Sequence, residues 1–325
     1  MMPGFGYLRA GSLPEAIEHL GAENARAHAG GTDLLGCLRD GIFTASEVVS
    51  LGGIPELAGI GETGDGALRI GAMTRIAQLA AHPLIASRYR ALAQAAAEVA
   101  SPQLRNQGTL GGNLCQKHRC WYYRGEFDCL RKGGSTCFAV EGRNEYHCIF
   151  GGMGCYVVHP SDTAPALAAL DAVVRIAGPK GKRLVPAGEF HVPPGEDPQR
   201  ETVLEPGEIV TDVLLPTPAP GLRSSYRKVR ARRSWDFALA GAAMALRFEG
   251  LRVVQARVYL SGVAPVPWRC LPAELAIAGR ELTDEVIRAA ARAAVADAEP
   301  LAHNRYKVAL VQGVIEDELS ALREA

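Results

Sequence analysis

Six of the chain's eight cysteines stand between residues 115 and 155, at Cys115, Cys120, Cys129, Cys137, Cys148 and Cys155. Directly before them runs Gly108-Thr109-Leu110-Gly111-Gly112-Asn113, and far upstream lies a second glycine pair, in Gly30-Gly31-Thr32-Asp33-Leu34-Leu35. Thiolates crowded onto one segment are soft anionic donors, suited to zinc or to iron–sulfur cores. Glycines let a backbone approach an anion closely, and amides at a helix start point toward one. A single turn with two glycines is more often a steric device than a phosphate site. Two such turns together could grip one diphosphate from two sides, so the residues describe a metal or iron–sulfur centre beside a phosphate-bearing cofactor.

No other constellation carries chemistry of its own. His159 precedes Pro160-Ser161-Asp162 but has no nucleophile near it in sequence, and it reads as an imidazole bonded to the backbone. No catalytic residue is assigned and no triad is evident. Arg227, Lys228, Arg230, Arg232 and Arg233 form a basic cluster, which reads as a docking surface, a contact to a cofactor phosphate, or a solvated edge.

The elements that must position these residues alternate between strand and helix. Ser12 with Glu15 three residues later opens a short amphipathic helix over Ser12–Leu20. Ala25–Ala29, Glu47–Leu51 and Leu68–Ala72 read as strands, and the alanine-rich stretch from Leu84 to Ala100 as a helix that ends at Ser101-Pro102. Arg105 to Leu114 reads as one glycine turn with interleaved hydroxyl and amide side chains. Val253 to Leu260 suggests strand, and Thr283 to Ala298 an amphipathic helix behind a threonine cap. Pro193–Pro198 and Pro216–Gly221 are proline-rich linkers, the second a domain boundary.

At 325 residues the chain exceeds one average core, and roughly 100 to 200 residues per domain gives two or three. Its 35 basic and 35 acidic side chains cancel without long runs of either sign, which removes electrostatic support for nucleic acid or a membrane surface. No stretch approaches the ~18 uninterrupted apolar residues of a membrane span, and the start lacks the regions of a signal peptide. A cytoplasmic location is expected, where crowded cysteines are metal ligands more often than disulfides.

Three segments, Ala29-Gly30-Gly31-Thr32-Asp33-Leu34, Arg105 to Leu114, and Pro160-Ser161-Asp162-Thr163-Ala164-Pro165-Ala166-Leu167, resemble the signatures of the FAD-binding medium subunit of the xanthine dehydrogenase family of molybdenum hydroxylases. Tyr226-Arg227-Lys228-Val229 to Asp236-Phe237-Ala238 resembles the start of that family's C-terminal domain. The resemblance implies an α+β chain with an FAD-binding fold of the vanillyl-alcohol-oxidase (PCMH) type. Its two subdomains would span 1–58 and 59–220, the second including the insertion 115–155, with a C-terminal α+β domain at 221–325. By the same carry-over Ala29, Gly30, Gly31, Thr32, Asp33 and Leu34 hold the FAD diphosphate. Ser101, Thr109, Gly112, Asn113, Asp162 and Lys228 are further cofactor contacts.

Common members of this family pass almost directly from the Gly-Gly-Asn-Leu turn to the Pro-Ser-Asp segment, whereas here residues 115–155 intervene. The insertion resembles that of 4-hydroxybenzoyl-CoA reductase β-subunits and some bacterial aldehyde oxidoreductases, which hold a [4Fe–4S] cluster. Matched to those, Cys120, Cys129, Cys137 and Cys155 are the ligands, with Cys148 in reserve for Cys155. Structural zinc usually draws ligands in pairs with two to four residues between them, while these are nine, eight and eighteen positions apart. Lys117, Arg119, Arg124, Arg131 and Lys132 would raise the potential of a nearby cluster or be solvated, and Trp121, Tyr122 and Tyr123 would shield it or anchor the insertion. So many glycines and charges leave the segment no core to pack into.

The expectation is an electron relay. The resemblance implies partners: a small subunit with two [2Fe–2S] clusters, a large molybdopterin subunit where substrate reacts, and a soluble carrier such as ferredoxin. The competing readings are a zinc-stabilised binding module without redox function and a stand-alone flavin oxidase.

Overall fold

The computed structural model describes residues 2–325. Three sheets follow one another along the chain. The first is a parallel trio in the order β1-β3-β2, made of β1 (Gly6–Arg9), β2 (Ala25–His28) and β3 (Glu47–Ser50). Its connections carry α1 (Leu13–Leu20) and α2 (Leu34–Arg39). At the start of α1 the Ser12 hydroxyl accepts from Glu15 N at 3.4 Å, while Glu15 Oε2 accepts from Gly11 N at 2.7 Å. This reciprocal cap leaves Ala16 and Leu20 to pack with Val49 and Leu51.

The second sheet is antiparallel, with β4 (Ile60–Glu62), β5 (Leu68–Gly71), β6 (Val173–Gly178), β7 (Gly181–Pro186) and β8 (Ile209–Leu215) in the order β4-β5-β8-β6-β7. Between β5 and β6 the chain runs through α3 (Ile76–Ala81), α4 (Pro83–Arg88), α5 (Arg90–Glu98), α6 (Pro102–Gln107), α7 (Leu110–Leu114), α8 (Trp121–Arg124) and α9 (Thr163–Ala169). Leu68, Ile70, Leu79, Leu92, Leu110, Leu167 and Val174 are fully buried in the largest core, which joins sheet and helices.

Two local expectations change here. The alanine-rich stretch is two helices, α4 and α5, because Tyr89 between them takes φ −134°, ψ 53° to bury its ring and donate from its hydroxyl to Pro216 O at 3.0 Å. Arg105–Leu114 is mostly helical: α6 and α7 meet at Gly108-Thr109, and Gly111 and Gly112 lie inside α7.

The third sheet, β12-β11-β10-β9, consists of β9 (Leu222–Val229), β10 (Ala240–Glu249), β11 (Arg252–Ser261) and β12 (Trp268–Arg269). It packs with α10 (Leu271–Ile277), α11 (Asp284–Ala293) and α12 (Tyr306–Glu324) around a separate core. Thr283 caps α11, accepting from Val286 N at 3.4 Å, but the helix ends at Ala293, short of the predicted Ala298. Helix α5 ties this sheet to the second, since Ala91 N donates to Ser224 Oγ at 3.2 Å and Gln94 Oε1 accepts from Tyr226 N at 2.9 Å. Among the described residues no helix is long and apolar enough to cross a membrane.

The insertion does find a core, contrary to the expectation from its composition. Ile149 and Phe150 are buried with the C-terminal cluster, and both their amides donate to Val263 O. Asn304 Nδ2 donates to His147 O at 3.1 Å and Cys148 O at 2.9 Å, and Lys307 Nζ donates to Tyr146 O at 3.2 Å and Gly262 O at 2.7 Å.

Candidate functional site

A cleft of about 410 Å³ opens where the first two sheets meet the start of the insertion. Ala29, Gly30, Gly31, Thr32, Asp33, Leu34, Thr109, Gly112, Asn113, Asp162 and Lys228 all line it. Ser101 does not: its hydroxyl caps α6, accepting from Leu104 N at 3.4 Å. The two glycine segments press directly together. A Cβ on Gly30 would lie 2.1 Å from Gln107 O, and Gly31 holds φ +70° with no room for a Cβ beside His28 Nε2. On the other side Gly111 N donates to Ala72 O at 2.8 Å, and a Cβ there would stand 2.9 Å from Ala72 Cβ.

The polar side chains of the cleft are largely committed to one another. Thr109 Oγ1 accepts from Gly112 N at 3.2 Å, capping α7. Asn113 Oδ1 accepts from Ser161 Oγ at 2.6 Å and Thr163 Oγ1 at 2.7 Å, which binds the second signature segment to the third. Asp162 is buried and accepts from Lys228 Nζ at 2.8 Å and Tyr226 OH at 2.7 Å. Burial pushes its carboxyl up, and the Lys228 ammonium opposes that shift. Sequence reasoning missed Arg26, Phe43, Met73, Ile209, Val210, Trp235 and Phe237 on the same walls. Of these, Trp235 and Phe237 lie in the segment that resembles the start of the C-terminal domain, which was their signal in the sequence. Glycines on one wall, cations at Arg26, Lys117 and Arg119, and apolar and aromatic groups elsewhere suit a ligand with a diphosphate and flat rings.

Cys120, Cys129, Cys137 and Cys155 line a second, smaller cavity with His147, Tyr122, Tyr123, Leu130, Arg131, Phe138 and Val157. It is far smaller than the cleft, about 10 Å³. Cys148 is buried but outside this lining, and Cys115 lies on the cleft. A tight turn gathers two of the thiols, with Leu130 N donating to Thr136 O at 3.0 Å and Gly134 N to Cys129 O at 3.1 Å. Among the described residues, no set of three or more His, Cys, Asp or Glu side chains is arranged to hold a metal ion. Burial pushes the Cys120 thiol up to about 12 and that of Cys137 upward, and neighbouring thiolates add to both. Such thiols lose their protons to a metal rather than to water.

The donor chemistry of this cavity fits an iron–sulfur cluster. Arg131 is buried on its wall, and one terminal nitrogen donates to Arg200 O at 3.2 Å and Glu201 Oε1 at 3.4 Å. Its Nε and Nη2 are buried without a partner, which is costly unless an acceptor faces them. Sulfur bearing negative charge would meet that need. His147 also lines the cavity, with Nε2 3.3 Å from Cys120 Sγ, and its imidazole is pushed down to about 4 by burial and the Lys307 ammonium.

One segment joins the two places. Cys115, Gln116, Lys117 and Arg119 line the cleft, and Cys120 enters the thiol cavity. Asp33, on the first glycine turn, accepts from Lys117 N at 2.7 Å and Arg124 Nη2 at 2.9 Å and pairs with Arg119 at 3.0 Å. Lys117 pairs with Glu201. The insertion's cations are thus mostly locked into ion pairs rather than solvated. Beside this segment three buried imidazoles pack edge to face, His118 6.2 Å from His159 and His159 4.1 Å from His191. Burial holds all three neutral, His191 down to about 4. The predicted backbone bond of the His159 ring is absent: its Nε2 has no partner, and only its amide is bonded, to Ala264 O at 2.8 Å.

Residues 3–218 match the family described as the FAD binding domain in molybdopterin dehydrogenase, and residues 224–321 match the CO dehydrogenase flavoprotein C-terminal domain. The chain is 37% identical over 329 residues to the aldehyde oxidoreductase FAD-binding subunit PaoB of Escherichia coli (strain K12), covering 99% of each. It is 30% identical to the carbon monoxide dehydrogenase medium chain of Hydrogenophaga pseudoflava, covering 98% of this chain and 97% of that one. Among solved structures, carbon monoxide dehydrogenase from Hydrogenophaga pseudoflava superposes with a TM-score of 0.78 at 29% identity over 99% of both chains. Quinoline 2-oxidoreductase from Pseudomonas putida 86 superposes with 0.78 at 26% identity, covering 100% of this chain and 98% of that one.

Proposed function

The chain belongs to the FAD-binding subunits of the molybdenum hydroxylase family, and from that premise we propose that it carries both FAD and a [4Fe–4S] cluster as the electron-transfer subunit of a larger oxidoreductase. FAD supplies chemistry that handles electrons singly or in pairs, and a four-iron cluster supplies one-electron exchange. The observation that carries the proposal is the segment 115–120, which lines the cleft and delivers Cys120 to a cavity walled by three more thiols.

Each part of the chain then has a defined task. Gly30, Gly31 and Gly112 admit the diphosphate to the backbone, and Arg119 and Arg124 hold the first turn in place through Asp33. Cys120, Cys129, Cys137 and Cys155 are the four thiolate ligands, one per iron, and Tyr122, Tyr123 and Val157 keep water from them. Two relatives are called medium chains of carbon monoxide dehydrogenases, and by that likeness this chain assembles with a small [2Fe–2S] subunit and a large molybdopterin subunit. It would pass electrons between them and an outside carrier such as ferredoxin. The likeness to an aldehyde oxidoreductase subunit makes aldehydes the first substrates to assay for the complex.

Metal, acid-labile sulfide and flavin analysis of the purified chain tests this reading. About four irons with one FAD are expected, together with a one-electron paramagnetic signal on reduction. Zinc in place of iron, or thiols without metal, overturns the cluster. Turnover of an aldehyde by the isolated chain would instead favour a self-sufficient flavin oxidase.

A further inference from the structure

The wall of the thiol cavity carries a nitrogen donor that the four-thiolate scheme does not use. His147 lines it, is 4% exposed, and sits with Nε2 3.3 Å from Cys120 Sγ. Its other ring nitrogen, Nδ1, is buried without a partner. The ring is held edge-on by Trp121 at 5.8 Å and lies 6.0 Å from Tyr122. Its backbone is fixed from both sides, since His147 N donates to Asn144 O at 3.0 Å and His147 O accepts from Asn304 Nδ2 at 3.1 Å. These contacts surround an imidazole whose Nε2 faces the sulfur.

We propose that His147 donates Nε2–H to the Cys120 sulfur and thereby sets the reduction potential of the centre seated in this cavity, as a positioning residue and not as a ligand. The inference rests on the four-thiolate reading above. A thiolate bound to iron has no proton of its own, so the contact at 3.3 Å requires the hydrogen on Nε2. Reduction adds one electron to the cluster and its sulfurs, with no bond made or broken. A fixed N–H donor stabilises that added charge more than it stabilises the oxidised state, and so raises the potential. Ligation is the alternative role. An imidazole and a thiolate bound to one metal ion stand about this far apart, so zinc would recruit His147 as a ligand, whereas a cluster already served by four thiolates leaves it free to donate.

The test is a paramagnetic-resonance redox titration of the purified complex with wild-type, His147→Leu and His147→Gln chains, with iron counted in each. The expected result is unchanged iron and flavin in all three. In His147→Leu the reduced-to-oxidised ratio at a fixed potential should fall about tenfold, ~59 mV for one electron. His147→Gln, which keeps an N–H donor, should recover part of that shift. Resonance Raman spectra of the wild type in H2O and D2O give a readout that needs no variant: an iron–thiolate stretch should move on exchange. An unchanged potential in His147→Leu with full iron overturns the inference, as does loss of metal in both variants or a stretch insensitive to D2O. If wild-type chain holds no cluster, the four-thiolate reading itself has failed, and the iron count separates that case from the others.

Discussion

The cleft and the thiol cavity are built by opposite means. The cleft is shaped by what is missing: at Gly30 and Gly111 a single methyl group would collide with Gln107 O or Ala72, so that backbone runs against backbone on its glycine wall. The cavity is shaped by what is present, four thiols with an imidazole and a guanidinium held around them. A backbone site tolerates few substitutions but asks little of its side chains, most of which are bonded to one another. A side-chain site depends on each donor separately. The two should therefore fail in different ways, and Asp33, gripped by Arg119 and Arg124, is where failure in one reaches the other.

The sharpest way to separate them is Gly30→Ala. Its Cβ would stand 2.1 Å from a carbonyl oxygen, forcing the two glycine segments apart. Flavin absorbance of the purified chain should fall by more than ~100-fold in apparent affinity, about 3 kcal/mol, while iron is retained. Loss of both cofactors together would show that the two sites are one folding unit. The converse variant is Cys137→Ser, expected to strip the iron while flavin stays bound. Cys148→Ser, outside the cavity lining, should keep both, and iron loss there would reassign the ligand set.

Arg124→Met tests the bridge. It removes the 2.9 Å pair with Asp33, and its side chain is largely buried. Flavin binding should weaken roughly 10- to 100-fold, about 1.5 to 3 kcal/mol for a hydrogen bond to a charged group, with iron unchanged. Flavin titration checks it, and unaltered affinity would disconnect the two regions.

The smallest effect concerns the floor of the insertion. Burial pushes the Lys307 ammonium down to about 7 from 10.5, against two backbone carbonyls. Between those two values the unfolded chain keeps a proton that the folded chain has released, so this group's contribution makes stability rise with pH across that window. Relative to Lys307→Met, the wild type should gain up to ~1.4 kcal/mol per pH unit above pH 7, read from urea midpoints at pH 7, 8 and 9. A constant difference would mean that the ammonium stays charged in the folded state.

The sequence carried much of this plan because its signals are of the kind that survive without coordinates. Glycine pairs beside helix starts, a threonine or serine ahead of an apolar stripe, and thiols far outnumbering chance in one segment are all local. The four cavity cysteines were picked out by likeness to a family insertion. Nothing in their spacing alone would have excluded Cys148, which is buried outside the cavity lining. What stayed hidden depends on distant partners. Tyr89 breaks a run of good helix formers because Pro216 offers its hydroxyl an acceptor. Ser101, carried over as a cofactor contact, caps α6 instead. The edge-to-face cluster of His118, His159 and His191 draws on three separate segments, so no window contains it. Helix α12 escaped notice because it has no side-chain cap and begins at Arg305-Tyr306 without a breaker.

Although residues 115–155 interrupt the flavin-binding portion of the sequence, they are stitched to the C-terminal one, through Val263, Asn304 and Lys307. Transplanting that stretch alone into a short-loop relative would leave Cys148 O and Tyr146 O without their donors. A working chimera would have to import the receiving residues too, so the insertion and the C-terminal residues that receive it are one unit for engineering.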